Sequence, residues 1–115
     1  MKLFPLVKAG TDLLGTNPTR FFEFGRAPQL EKLPYATWQI LSGEPVNFMS
    51  GPPTDEIVEA QIDIWAETAV ECRTVARAVR RALDPFIQIS HYFCGWDEES
   101  QLFRTVIRCT FQQEI

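Results

Sequence analysis

From Ile57 to Ala66 (IVEAQIDIWA) apolar and polar residues alternate, with Val58, Ala60, Ile62, Ile64 and Ala66 in one set and Glu59, Gln61, Asp63 and Trp65 in the other. Successive side chains of an extended chain point to opposite faces, so this pattern predicts a strand with one buried and one largely polar side. The period then changes. Cys72, Val75, Ala76, Val79 and Leu83 recur at helical spacing, while Glu71, Arg73, Arg77, Arg80 and Arg81 fall mainly outside that stripe. Thr68 and Glu71 have the spacing of a capping box, and Pro85 halts the helix near Leu83. Arginines in the last turns also complement the negative end of the helix dipole.

Weaker patterns flank this pair. Leu3 to Leu14 reads as a short helix, with Pro5 suited to a first turn and Gly10 to an end or a break. Arg20 to Phe24 (RFFEF) reads as a brief strand, and Tyr35 to Ser42 (YATWQILS) as a longer one with Ala36, Trp38 and Ile40 on one face. Two further strands are predicted at Phe86–Trp96 and Gln101–Gln113, around Asp97-Glu98-Glu99-Ser100. Ile87, Ile89, His91 and Phe93 share one face of the first, and Phe103, Thr105, Ile107, Cys109 and Phe111 one face of the second. A four-residue loop would set those faces on opposite sides, so either an odd loop or a bulge is expected, with Gly95 the candidate for the bulge. The sum is an α+β fold. It has a single antiparallel or mixed sheet of four to five strands, one main helix on one face and a short N-terminal helix.

Gly43 to Asp55 (GEPVNFMSGPPTD) contains two glycines and three prolines. Proline lacks the amide donor that a central strand needs, which predicts a long exposed loop at about 43–55. The loop carries Val46, Phe48 and Met49, and large apolar residues there either dock on a partner or fold back on their own domain.

At 115 residues the chain suits one domain spanning 1–115, and 45% hydrophobic content suits a packed core. A net charge of -4 argues against duplex DNA binding, which rests on a strong cationic field. No apolar run approaches the roughly 20 residues that cross a bilayer, and Pro5 and Lys8 interrupt the N-terminal apolar patch, against a signal peptide. Cys72, Cys94 and Cys109 are odd in number and widely spaced, as expected of reduced and mostly buried thiols in a cytosolic setting.

Catalytic chemistry finds little support. His91 is the sole histidine, and Cys94, three residues along the same strand, points to the opposite face. His91 therefore reads as structural, partly buried beside Tyr92 and Phe93. Asp97, Glu98 and Glu99, and Asp55 with Glu56, read as solvated turn charge; they would also repel DNA phosphate or meet a basic partner. Arg73, Arg77, Arg80 and Arg81 read as a solvated face or a salt-bridged subunit contact in preference to a nucleic-acid stripe, because no aromatic residue interleaves with them in this helix. No catalytic, metal or cofactor motif is present.

The stretch LPYATWQILSGEPVNFMSGP followed by VEAQIDIWAETAVECRTVARAVRRAL resembles the tail-completion, or tail-terminator, family of long-tailed bacteriophages. FGRAPQ before it and FRTVIRCTFQQE after it extend the resemblance to nearly the whole chain. The resemblance implies a structural virion protein at the tail–neck junction, assembled in the host cytoplasm. It implies a homo-oligomeric ring, usually of six subunits, on the head-proximal end of the tail tube. That ring stops tube polymerisation and joins the tail to the head connector. DNA passes through without specific binding, and neither a membrane nor a cofactor is involved. In that setting Glu44, Val46, Phe48, Met49 and Pro52 are the candidate partner-docking loop, and Arg73, Arg77, Arg80 and Arg81 the candidate subunit contacts. Rival readings are a connector or stopper on the capsid side, a small α+β enzyme or ligand-binding domain with a deep polar pocket, and a DNA-binding module.

Overall fold

In the computed structural model the described residues are 3–15, 19–23, 33–46 and 55–114. They comprise α1 (Leu3–Gly10), β1 (Phe21–Glu23), β2 (Tyr35–Pro45), β3 (Asp55–Ala66), α2 (Ala69–Leu83), β4 (Gln88–Asp97) and β5 (Leu102–Glu114). Among these residues the strands form one sheet in the order β1-β2-β3-β5-β4. β1 runs parallel to β2 and every other neighbour is antiparallel, so the sheet is mixed. β5 lies between β3 and β4, which are therefore parallel to each other and linked by the α2 crossover.

One face of the sheet carries the core. Val58, Ala60, Ile62, Ile64 and Ala66 of β3 are all buried there, facing Ile107 and Cys109 of β5. α2 lays Cys72, Val75, Ala76, Val79 and Leu83 onto it, each buried as the helical spacing predicts. Its start is fixed by Thr68, whose hydroxyl accepts the Glu71 amide at 3.1 Å. Such a cap is worth on the order of 1 kcal/mol. α1 adds Leu3 and Val7 to the same cluster, and Leu14 follows it. α1 comes so near α2 that a Cβ at Gly10 would collide with Ala82. Gly10 therefore serves a close helix approach as well as a helix end.

Three expectations change. Of the loop expected at about 43–55, Gly43–Pro45 instead continue β2 and pair with Val58, Ile57 and Glu56, Asp55 opens β3, and 47–54 lie outside the described residues. β1 pairs only with Ala36–Trp38, so among the described residues β2 beyond Trp38 has a neighbour on one side alone. An edge position tolerates a residue with no amide to donate, which is how Pro45 sits in a strand. The second change is in register. The turn after Asp97 is four residues long and a bulge does restore alignment, but it lies between Ile89 and His91, not at Gly95. Ile89 and Tyr92 consequently face the core, while His91 and Phe93 stand on the opposite side. Third, His91 is exposed, not partly buried.

Candidate docking surfaces

The sheet face away from α2 is polar but not merely solvated. Asp63 is held by Arg104, whose Nε and Nη2 donate to one carboxylate oxygen at 3.1 and 2.9 Å. The Gln61 amide donates to the same carboxylate at 3.2 and 3.3 Å, and Arg108 Nε donates to Gln61 Oε1 at 3.3 Å. The Arg104 guanidinium lies 5.1 Å from the centre of the Trp65 ring, and Trp65 stacks on Tyr35. Gln61 and Asp63 are buried on this side of β3. These contacts tie the face into a lattice of arginine, carboxylate, amide and aromatic groups.

Of the candidate docking residues, Glu44 is exposed on β2 opposite Ile57, which is exposed too. Val46 is half-buried just past the strand, its amide donating to the Asp55 carbonyl at 2.9 Å. Phe48, Met49 and Pro52 lie outside the described residues. The four arginines are all exposed on α2. Arg80 is tied to its own chain, with Nε 3.4 Å from Asp84 and its guanidinium 5.6 Å from the Tyr92 ring centre. Burial raises the Tyr92 phenol pKa against the pull of Arg77 and Arg80.

The two buried thiols, Cys72 and Cys109, are poor nucleophiles. Burial pushes Cys109 up to about 11. Burial also raises Cys72, partly offset by its 3.1 Å hydrogen bond with the Thr105 hydroxyl. The reactive form is the thiolate, so both are inert at neutral pH. In the β4–β5 turn the Asp97 carboxylate accepts the Ser100 hydroxyl at 2.6 Å and its amide at 3.1 Å, which holds Asp97 below the ordinary carboxylate range. Among the described residues no group of three or more His, Cys, Asp or Glu could hold a metal ion, and no helix is long and apolar enough to cross a membrane.

Two features escaped the sequence reading. A surface hollow of about 380 Å³ opens beside the start of α2, walled by Leu13, Pro34, Val70 and Val75 with Thr68, Glu71 and Thr74. Phe86 stands exposed just past the other end of the helix. The available signal was an apolar residue off the core stripe, Val70, and a phenylalanine directly after the helix-stopping Pro85.

No curated protein sequence matches the chain significantly. Among solved structures it resembles a chain of the virion of native gene transfer agent (GTA) particle, with a TM-score of 0.73 and 12% identity over 98% of this chain and 92% of that one. At that identity the likeness shows the fold. A family described as "Tail completion protein gp17" matches residues 5–111, nearly the whole length. The chain therefore belongs to the tail completion protein family, structural proteins of the bacteriophage virion and its tail.

Proposed function

We propose that the chain acts as one domain that closes with copies of itself into a ring, usually six in its relatives. The ring sits on the head-proximal end of the tail tube, ends the tube's growth and joins the tail to the head connector. The observation that carries this reading is the sheet's architecture within a tail completion fold. β4 is an edge strand on one side, and beyond Trp38 β2 is an edge on the other among the described residues. Unlike edges on one subunit suit the heterologous contacts from which cyclic assemblies are built. The end of the β2–β3 arm, with Glu44, Val46, Phe48, Met49 and Pro52, would reach the adjoining tube or connector ring. Arg73, Arg77 and Arg81 would contribute to contacts between subunits. Growth ends because only one ring surface copies the tube subunit's docking face. An acidic or neutral lumen would let DNA pass without adhering.

A Phe48→Asp/Met49→Asp variant tests the docking arm. Unjoined heads and tails are expected, with an unchanged circular dichroism spectrum. Normal yields of infectious particles would count against that role. The test also separates the capsid-side stopper reading: wild-type protein that cosediments with filled capsids and never with tail tubes would favour the stopper.

A further inference from the structure

The two ends of α2 are shaped as a socket and a plug. At the N-terminal end lies the hollow of about 380 Å³, rimmed by Val70, which is 67% exposed, and Leu13, which is 41% exposed. Its wall hydroxyls are already engaged: the Thr68 hydroxyl accepts the Glu71 amide, and the Thr74 hydroxyl donates to the Val70 carbonyl at 2.8 Å. Apart from Glu71, the rest of the wall is apolar. At the C-terminal end, about 22 Å away for a helix of this length, Phe86 is 61% exposed. Phe86 is not loosely held. Its amide donates to the Leu83 carbonyl at 2.9 Å, the next amide donates to the same oxygen at 2.8 Å, and Ile87 is buried. The ring is thus presented by a fixed turn, which lowers the ordering cost of inserting it elsewhere.

Charge follows a related polarity. Glu67 and Glu71 stand at the socket end with Arg73 beside them, and Arg80 and Arg81 lie in the last turn of the helix, Arg80 paired with Asp84. A surface bearing a hollow at one end and its filler at the other can pair two-fold, both contacts forming at once across antiparallel helices, or head to tail, each copy plugging the next. Only the head-to-tail arrangement closes into the ring of the proposed function.

We infer that the occupant of the Leu13–Pro34–Val70–Val75 hollow is Phe86 of a neighbouring copy of this chain, with Arg81 of that copy set against Glu67 and Glu71. This rests on the ring reading above and names the contact that would build the ring. Phe86 would be its hot spot, an aromatic anchor seated in an apolar pocket inside a charged rim.

Cysteine cross-linking tests it. Val70→Cys and Phe86→Cys proteins are prepared separately, and both sites are exposed enough that folding should persist, which circular dichroism verifies. Each protein alone, and an equal mixture, is assembled on purified tail tubes and oxidised with glutathione disulfide. Peptide mass spectrometry then reads which cysteines are joined. The expected result is a 70–86 disulfide between chains in the mixture only, and a covalent ladder ending at the ring's subunit number for the double variant. Phe86→Ala should weaken self-association by at least about thirty-fold, the loss expected of a hot-spot residue. Links of 70 to 70 or 86 to 86 in the single-variant samples, or a double variant that stops at a covalent dimer, would overturn the head-to-tail arrangement. Rings on tube ends without a 70–86 link would overturn this contact and leave the ring standing; no rings at all would overturn both.

Discussion

Replacing Arg104 by alanine strands the carboxylate of Asp63, whose side chain is only 3% exposed. Replacing Asp63 strands Arg104 instead, but that side chain is 34% exposed and can turn its guanidinium to water. The two truncations break the same pair and should differ in cost. Leaving a buried charge without its partner costs about 3–5 kcal/mol. Gln61 still donates to Asp63 in the Arg104→Ala protein, so the lower end, about 3 kcal/mol, is expected. Asp63→Ala loses charge-assisted hydrogen bonds without leaving a desolvated charge, for about 1.5–2 kcal/mol. The double variant removes the stranded carboxylate and should be more stable than Arg104→Ala alone. At about 4 °C per kcal/mol for a domain of this size, the singles should melt roughly 12 and 7 °C below wild type. Urea titration followed by circular dichroism at fixed low protein concentration gives the same ordering through the midpoints. An Asp63→Ala protein as unstable as Arg104→Ala, or a double variant worse than both, would refute the claim that the polar face is a locked lattice with Asp63 at its dry centre.

Gly10→Ala gains about 0.5–1 kcal/mol of helix propensity but drives a methyl into Ala82, and overpacking costs about 1–3 kcal/mol, so a net loss in a denaturant melt is expected. In an NMR titration Asp97 should protonate below the ordinary carboxylate range, and Ser100→Ala should move it upward. Because the native value is depressed, the turn's contribution is present above the unfolded value and fades as pH falls through the native one. At pH 8 Cys72 and Cys109 should resist iodoacetamide in the folded chain and react once it is unfolded in urea. Cys109, raised from 9.0 to about 11, contributes stability that is whole below pH 9 and lost as pH climbs through about 11. Cys109→Ala should therefore flatten the fall in stability across that window.

The elements that could be read from the chain were those whose signal is local. The alternation in β3, the stripe of α2 and the Thr68 cap each lie within a few residues of one another, and each fell into place. Asp63 and Gln61 read only as members of a polar face because the partners that bury them lie 41 and 47 residues downstream. No period within β3 can reveal them. The mismatch between the two core faces of β4 and β5 called for an odd loop or a bulge, and the structure has the bulge. Its place at Ser90 rather than Gly95 was not legible, since either position restores the alignment. Pro45 concealed the end of β2 because the rule against strand proline assumes a neighbour on both sides, and among the described residues β1 pairs no further along β2 than Trp38. The socket and plug went unread for a related reason. Leu13, Pro34 and Val70 meet only when the α1 turn, the start of β2 and the start of α2 come together.

Electron microscopy of the purified protein mixed with purified tail tubes tests the central claim most directly. A ring capping one end of each tube, and tubes that no longer lengthen when fresh subunits are added, is the predicted result. Monomers that leave both tube ends bare and growing would contradict it.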